Sequence, residues 1–451
     1  PADRAVLERA LAEARRRLTA EDVSDAAFSF LRRVLLMEPV YGLPGVRRAR
    51  LQFVMRWQQF TGAAMAKGLE DTTFYVYNRL VSLNEVGGEP DSAPGGVAAF
   101  HQFCARRLER HPGALNATST HDTKRSEDVR ARIHLLAEIP AEWEAAVLRW
   151  SELNAPRRRV VRGQRVPGPN HEYLLYQNLV GAWPLDERER PALRERFRDY
   201  MLKAAREAQV RTSWIRPDED HEQALSGFVD EILDPALSAA FLADFAGFHA
   251  RIAYAGALNS LAQVALKVAA PGVPDVYQGT EMWDFSLVDP DNRRPVDYDA
   301  RRQALASVDE PGAARSLAEA LHRGWRDGRL KLYVLARALR HRREHAELFA
   351  RGTYAPLPAS GPHARHVCAF ARRLGEDWLL CAVPRLPLRL GLGSVPAPWA
   401  EDALALPDGA PAAWRDLFTG ASVRARNDVL PLAEVFATLP LALLVPDAGA
   451  D

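Results

Sequence analysis

Asp122 stands in "LNATSTHDTKRSEDVRARI", Leu115 to Ile133, which reads as a short strand, a polar loop and the opening turns of a charged helix. An aspartate just past a strand, preceded by His121 and followed by Thr123, Lys124 and Arg125, would lie at the carboxyl end of that strand. On that face barrel enzymes gather their catalytic groups. Chemistry on sugars uses such a carboxylate because an oxocarbenium-like transition state is stabilised by nearby negative charge and by hydrogen bonds to ring hydroxyls. The spacing also fits an Asx turn that caps the next helix.

Two further stretches concentrate polar chemistry. "MAKGLEDTTFYVYNRLVSLNEVGG" brings Lys67, Glu70, Asp71, Tyr75, Tyr77, Asn78, Arg79, Asn84 and Glu85 into one short segment. Aromatic rings that stack on pyranose faces, with amides and carboxylates that take hydroxyls, make a sugar site of this kind; an amphipathic helix with a capping turn has the same composition. "PGVPDVYQGTEMWDFSLVDPDNRRPVDY" offers Tyr277, Gln278, Glu281, Trp283, Asp289, Asn292, Arg293 and Arg294 around a strand end. Arginines among several acids there read chiefly as an ion-pair network that shapes a loop.

Two other motifs are weighed and set aside. "HRREH", His341 to His345, fits the inverted zinc-protease pattern. Its context is strongly basic and no third ligand stands out, so it reads as a solvated helix. "RRRVVRGQR", Arg157 to Arg165, has the charge to touch phosphate but reads as a solvated loop, because arginine is abundant throughout.

The elements that must position these residues follow from periodicity and punctuation. The first 85 or so residues are helical by pattern, with stops at Pro39 and Gly42 and a loop after Gly87 and Gly88. Ser126 is the expected N-cap of the helix after Asp122, with Glu127 and Asp128 in the first turn that the helix dipole favours. Helices dominate to about residue 265, and "GALNSLAQVALKVAAPG" ends at Pro271 and Gly272 before a brief strand. From about residue 350 short apolar runs separated by turn signals read as a small all-β domain.

The chain of 451 residues has 47% hydrophobic and 26% charged residues, enough for a large core and two or three domains. Its formal net charge of +1 gives no field that argues for nucleic acid or a membrane surface. No stretch reads as a membrane span, and the three distant cysteines, Cys104, Cys368 and Cys381, suit a reducing compartment, so the cytoplasm is expected. Five of the 59 basic residues are lysines (Lys67, Lys124, Lys203, Lys267 and Lys331), which leaves 54 arginines and makes the lysine positions informative.

Taken together, "FTGAAMAKGLEDTTFYVYNRLVSLNEVGG", "NATSTHDTKRSEDVRARI" and "VPDVYQGTEMWDFSLVDPDNRRPVDY" resemble the maltooligosyl trehalose synthases, a family within the α-amylase group of glycoside hydrolases. The resemblance implies an α/β fold: the C-terminal part of a (β/α)8 TIM barrel with large helical insertions, followed by a small all-β C-terminal domain. Residues 1–90 would be a helical subdomain and 91–349 the barrel part, with an insertion at about 140–250. Residues 350–451 would be a β-sandwich. It also implies intramolecular transglycosylation, in which the reducing-end α-1,4 link of a maltooligosaccharide becomes α-1,1. Some relatives in the wider group bind calcium, but no metal-ligand set stands out in this sequence, and double displacement needs no metal or cofactor.

By the same match, "THD" resembles the motif after the seventh barrel strand, which makes Asp122 the transition-state-stabilising carboxylate and His121 a hydrogen-bond donor to the sugar. "GVPDVYQGTE" resembles the eighth strand and its loop. Lys67, Glu70, Asp71, Tyr75, Asn84, Lys124, Arg125, Tyr277, Gln278, Glu281, Arg293 and Arg294 are the implied substrate-binding residues. The nucleophile and general acid of a double displacement belong upstream of "AKGLED", and neither motif is found. The chain, which opens in mid-helix, therefore reads as the C-terminal portion of such an enzyme, with the N-terminal half as its missing partner and no activity alone. A non-catalytic α-glucan-binding or partner subunit, or another glucosyl transferase or isomerase of the amylase group, are the alternatives.

Overall fold

The computed structural model describes residues 2–18, 24–39, 44–92, 95–309, 314–392 and 399–447. Gly42, one of the expected helix stops, lies outside them. Two compact units divide the chain, Pro1–Thr73 and Phe74–Asp451.

The first unit is helical: α1 (Ala2–Arg17), α2 (Asp25–Leu35) and α3 (Pro44–Ala64), followed by a π-helical turn at Met65–Glu70. Ser24 caps α2 by accepting the Ala27 N–H, with Asp25 in the first turn, the arrangement that a helix start favours. Arg32 of α2 reaches Glu8 of α1 and Glu38, each at 2.7 Å. The boundary expected at residue 90 falls instead at 73, because Phe74, Tyr75 and Val81 bury their side chains in the core of the second unit.

The second unit contains α4 (Gly96–Arg110), α5 (Glu127–Ile133), α6 (Pro140–Leu153), α7 (Pro169–Ala182), α8 (Arg190–Ala208), α9 (Glu219–Ile232) and α10 (Ala239–Ala269). After them come α11 (Tyr298–Val308), α12 (Ala314–Arg323), α13 (Arg329–Glu344) and α14 (Ala346–Arg351). Helix α10 organises this unit. With 31 residues and a mean hydropathy of 1.2 over its most apolar window, it is long and apolar enough to cross a membrane by length and composition. It is instead packed by α5, α13 and the sheet, with 78% of its most apolar window buried, and the part of a helix that is covered has no reason to keep a polar face.

The C-terminal end of α10 is capped by two arginines from elsewhere. Arg342 donates to the Val268 and Gly272 carbonyls at 2.7 and 2.6 Å, and the buried Arg372 donates to Ala269, Phe349 and Gly352. Cations at the orphan carbonyls of a helix end are favourable, and here they also fix where the following strand begins.

Strands β1 (Leu115–Asn116) and β4 (Val273–Pro274) pair in parallel, Leu115 opposite Val273. A short antiparallel hairpin joins β2 (Arg159–Val161) to β3 (Gln164–Val166). Strands β5 (Thr353–Pro356), β7 (Val367–Leu374), β8 (Asp377–Pro384), β10 (Ala413–Asp416), β11 (Ser422–Arg424) and β13 (Ala442–Pro446) form an antiparallel sheet of order β11-β10-β13-β8-β7-β5. A smaller sheet of order β12-β9-β6 comprises β6 (Ala359–Ser360), β9 (Ala403–Ala405) and β12 (Val429–Pro431).

The apolar runs along β7 and β8 have a simple cause, since successive residues face two different cores. Phe370, Leu379, Cys381 and Val383 pack with Leu261, Val264 and Val334 of α10 and α13, whereas Ala369, Ala371, Trp378 and Leu380 pack with Trp399, Leu404, Trp414 and Leu430.

Candidate functional site

The β1–β4 pair sets the base of the site. Asn116 ends β1 and donates to the Pro271 carbonyl at 3.2 Å, while its Oδ1 accepts from Arg107. Gly272 passes so close, at φ +118°, that a Cβ there would lie 2.7 Å from Asn116 Oδ1. Only glycine fits this left-handed close approach.

Beyond β1 the loop of residues 117–126 carries His121 and Asp122 at its exposed tip. Ser126 is the N-cap of α5, its hydroxyl accepting the Val129 N–H, as the spacing predicts. The tip turn is made by Thr120, whose Oγ1 accepts the Asp122 N–H at 3.2 Å. Neither cap nor turn uses the Asp122 carboxylate, which has no hydrogen-bond or ion-pair partner among the described residues.

The tip is clamped from the loop after β4. Asn292 donates to the carbonyls of Thr120 and His121 at 3.4 and 3.2 Å, and Arg293 donates twice more to the His121 carbonyl. Tyr277 in turn donates to the Asn292 carbonyl at 3.1 Å. Asp291 accepts both arms of Arg196 at 2.6 and 2.7 Å and the Leu287 N–H at 2.8 Å. Burial raises the Asp291 carboxyl, but Arg196 and Arg294 outweigh it and hold the group below the usual range. Lys203 of α8 grips Asp289 at 2.9 Å, and Glu281 pairs with Arg301 at 3.0 Å. The ion-pair network is therefore a scaffold that holds the His121–Asp122 tip by the Thr120 and His121 carbonyls.

From the other side Glu85 brackets the same loop. Its two carboxylate oxygens accept the N–H groups of Lys124 at 2.7 Å and Arg125 at 3.2 Å. Glu85→Gln would turn an amide N–H toward one of these donors. It is expected to cost about 1–3 kcal/mol, the penalty for an unmade buried hydrogen bond. A lower unfolding midpoint and faster hydrogen exchange at the Lys124 and Arg125 amides would register it; unchanged exchange would remove Glu85 from this role.

Several residues expected to face substrate are instead interior. Arg125 is 1% exposed and spends its donors on Asn178 at 2.6 Å, Tyr200 at 3.0 Å and the Asn84 carbonyl. Asn84, 0% exposed, ties the Phe74 and Tyr77 carbonyls together at 2.9 and 2.7 Å. Tyr75 is 2% exposed and packs in the core with Val81, Val129 and Ile133, so its ring is covered on both faces. Lys124 is buried as well. These residues shape the floor beneath the loop rather than its surface.

Gln278 and Arg294 remain exposed and line a cavity of about 390 Å³ with Asn292 and Asp291. Lys67, Glu70 and Asp71 belong to the first unit, on its π-helical turn, where Lys67 reaches Asp71 at 2.6 Å. His341 and His345 of the set-aside zinc pattern stand 4.2 Å apart between ring centres, with His341 buried rather than solvated. Among the described residues no group of three His, Cys, Asp or Glu is placed to hold a metal ion.

Beneath the loop lies a charge cluster that no motif announced. Lys331 of α13 contacts Glu127 at 2.7 Å and Asp128 at 2.9 Å, while Lys267 of α10 contacts Glu127 at 3.3 Å and Thr118 at 2.8 Å. All four charged side chains are almost wholly buried. Burial raises the Glu127 carboxyl, yet the two lysines hold it well below its usual range; burial likewise opposes the charged form of Lys331, and the two acids push it above. The rarity of lysine was the one available signal. Where 54 arginines serve elsewhere, compact point charges occupy the positions that must be both buried and paired.

No family model matches the chain. It is 42% identical over 393 residues to proteins described as putative maltooligosyl trehalose synthases in two strains of Mycobacterium tuberculosis, a match covering 87% of this chain and 45% of each relative. Among solved structures, maltooligosyltrehalose synthase from Arthrobacter ramosus superposes with a TM-score of 0.77 at 36% identity, over 98% of this chain and 51% of that one. A hypothetical maltooligosyl trehalose synthase from Sulfolobus tokodaii gives 0.69 at 30% identity, over 95% and 51%. The chain is thus similar to these synthases along nearly its whole length and spans about half of theirs.

Proposed function

We propose that this chain is part of a maltooligosyl trehalose synthase, an intramolecular glucosyl transferase of trehalose biosynthesis. In this reading residues 91–349 carry the last strands of a (β/α)8 barrel, β1 being the seventh and β4 the eighth, and residues 350–451 form its terminal β domain. Leu115 and Val273 are 65% and 43% exposed, open flanks suited to strands from the remainder of the barrel. The N-terminal half of the longer protein is the implied partner, and a maltooligosaccharide the substrate.

The observation that carries the assignment is the exposed, unpartnered Asp122 carboxylate, on a loop clamped by its backbone at the end of a parallel strand. In a double displacement, a nucleophilic carboxylate takes the glucosyl group while an acid protonates O4 of the reducing-end glucose. The same group, now a base, then removes the proton from the anomeric hydroxyl of that retained glucose, which attacks to give the α-1,1 link. Asp122 stabilises the positive charge that develops at each step, and His121 donates to a sugar hydroxyl. Gln278, Arg293 and Arg294 line the approach. The nucleophile and the acid come from the other half.

Maltopentaose separates the possibilities. The longer protein is expected to convert it to a non-reducing product of unchanged mass, followed as loss of reducing ends without net release of glucose. The 451-residue chain alone is expected to yield none. Turnover by the chain alone would show that a nucleophile and an acid reside within it, and hydrolysis without the non-reducing product would refute the synthase reading.

A further inference from the structure

The basic run Arg157 to Arg165, which reads as a solvated loop, folds as the β2–β3 hairpin, turning through Arg162 at φ 49° and Gly163 at φ 77°. Most of its arginines are engaged. Arg157 donates to the Leu237 carbonyl, Arg158 pairs with Glu172 at 2.8 Å, Arg159 with Glu231 at 3.1 Å and Arg162 with Asp218 at 2.9 Å. Arg165 is an exception: its guanidinium has no hydrogen-bond or ion-pair partner among the described residues, and the same holds for Arg211 just beyond α8. Both line a single cavity of about 450 Å³.

Two further walls of that cavity are short of partners for their polar groups. Helix α7 begins there with Gly168 as N-cap and no side-chain cap, and Pro169 carries no N–H, so the backbone N–H groups of Asn170 and His171 are the open donors of a 14-residue helix. A helix start in that state is an anion site. The start of α9 differs, because Asp218 closes it by accepting the His221 N–H at 3.2 Å. His221 also lines the cavity, is 7% exposed, and its Nε2 has no hydrogen-bond partner among the described residues. A buried polar nitrogen left unpaired is costly, and a ligand oxygen would relieve it.

The charge of the lining follows from these facts. Burial keeps both imidazoles below their usual range, His171 at about 4, so they are neutral at pH 7. Arg162, Arg165 and Arg211 then face the single carboxylate of Asp218. Val76 and Val210, both exposed, supply apolar surface in the same lining. An inorganic anion fills little of such a volume, whereas cavities of this size take small organic ligands. A phosphoryl group has three outer oxygens to offer the two guanidiniums and the backbone N–H groups, more acceptors than a lone carboxylate has, which favours a phosphate.

We propose that this cavity binds a small organic phosphate, its phosphoryl group between Arg165, Arg211 and the start of α7 and its organic part against Val76 and Val210. The site is separate from Asp122 and does not depend on the synthase reading.

Calorimetric titration of the 451-residue chain at constant ionic strength, with glucose 6-phosphate, inorganic phosphate and maltose as probes, tests this. Glucose 6-phosphate is expected to saturate a single site more tightly than inorganic phosphate, and maltose to show no binding there. Arg165→Ala and Arg211→Ala should each weaken glucose 6-phosphate by about tenfold, the usual loss of a charged hydrogen bond, and the double variant should lose it. Their phosphate-free unfolding midpoints should match the parent's, since neither side chain has a partner to lose. Absence of saturation by glucose 6-phosphate, binding of inorganic phosphate alone, equal binding of maltose, or unchanged affinity in the double variant would each overturn the proposal.

Discussion

Asp122→Asn in the complete synthase is expected to lower kcat on maltopentaose by about a thousandfold, with KM little changed and the fold intact. The magnitude is that of removing one preorganised electrostatic contact to a transition state, about 10²–10³, taken at its upper end because a full charge is lost rather than a dipole. The split between kcat and KM follows from timing: the carboxylate meets a positive charge that exists only as the glycosidic bond breaks, so the ground state loses little. Stability should move by less than about 0.5 kcal/mol, because the side chain is exposed and makes no internal contact. Near-normal kcat would remove Asp122 from the mechanism. A collapsed unfolding midpoint would instead show that the loop depends on this carboxylate for its shape.

The neighbourhood of Asp122 was legible in the sequence where its chemistry is local. A threonine turn and a Ser-Glu-Asp helix start lie within a few residues of each other and close by local hydrogen bonds, so Ser126 stands as the N-cap that its spacing foretold. The positions read as sugar-binding by residue type went astray for the opposite reason. Arg125 meets Tyr200 across 75 positions and Asn178 across 53, and nothing in "THDTKR" distinguishes an arginine aimed at a ligand from one aimed at those groups. Asn84 and Tyr75 have the same ambiguity, since amides and rings that suit a pyranose equally suit a buried turn and a core. The apolar runs of β7 and β8 were recognisable as strands from their punctuation. That they are buried on both faces required knowing that α10 lies on one side and the small sheet on the other.

Lys331→Met is expected to be the most damaging single change in the interior, at about 3–5 kcal/mol, because it strands the buried Asp128 and leaves the buried Glu127 with Lys267 alone. The intact cluster is not by that token a large net contribution, since desolvating four charges offsets most of their attraction; the loss comes from breaking it unevenly. The pH dependence makes this decisive. In the parent chain Glu127 titrates below its ordinary value of 4.5, so its contribution is present above that pH and disappears as the pH falls beneath it. Lys331 titrates above 10.5, so its contribution is present below that pH and disappears as the pH rises further. Between these limits neither Glu127 nor Lys331 adds a slope to stability, and Lys267, which burial holds below 10.5, adds only a rise on the alkaline side. Without Lys331, burial becomes the dominant influence on Glu127 and pushes its pKa upward. The variant should therefore lose stability as the pH rises from about 4.5 toward neutrality, the reverse of the parent's acid limb. Urea denaturation at a series of pH values would resolve the two slopes. Parallel profiles for parent and variant would mean that Lys331 does not set the Glu127 charge. The cluster could then not be what holds the first turn of α5, and the loop that carries Asp122, in register.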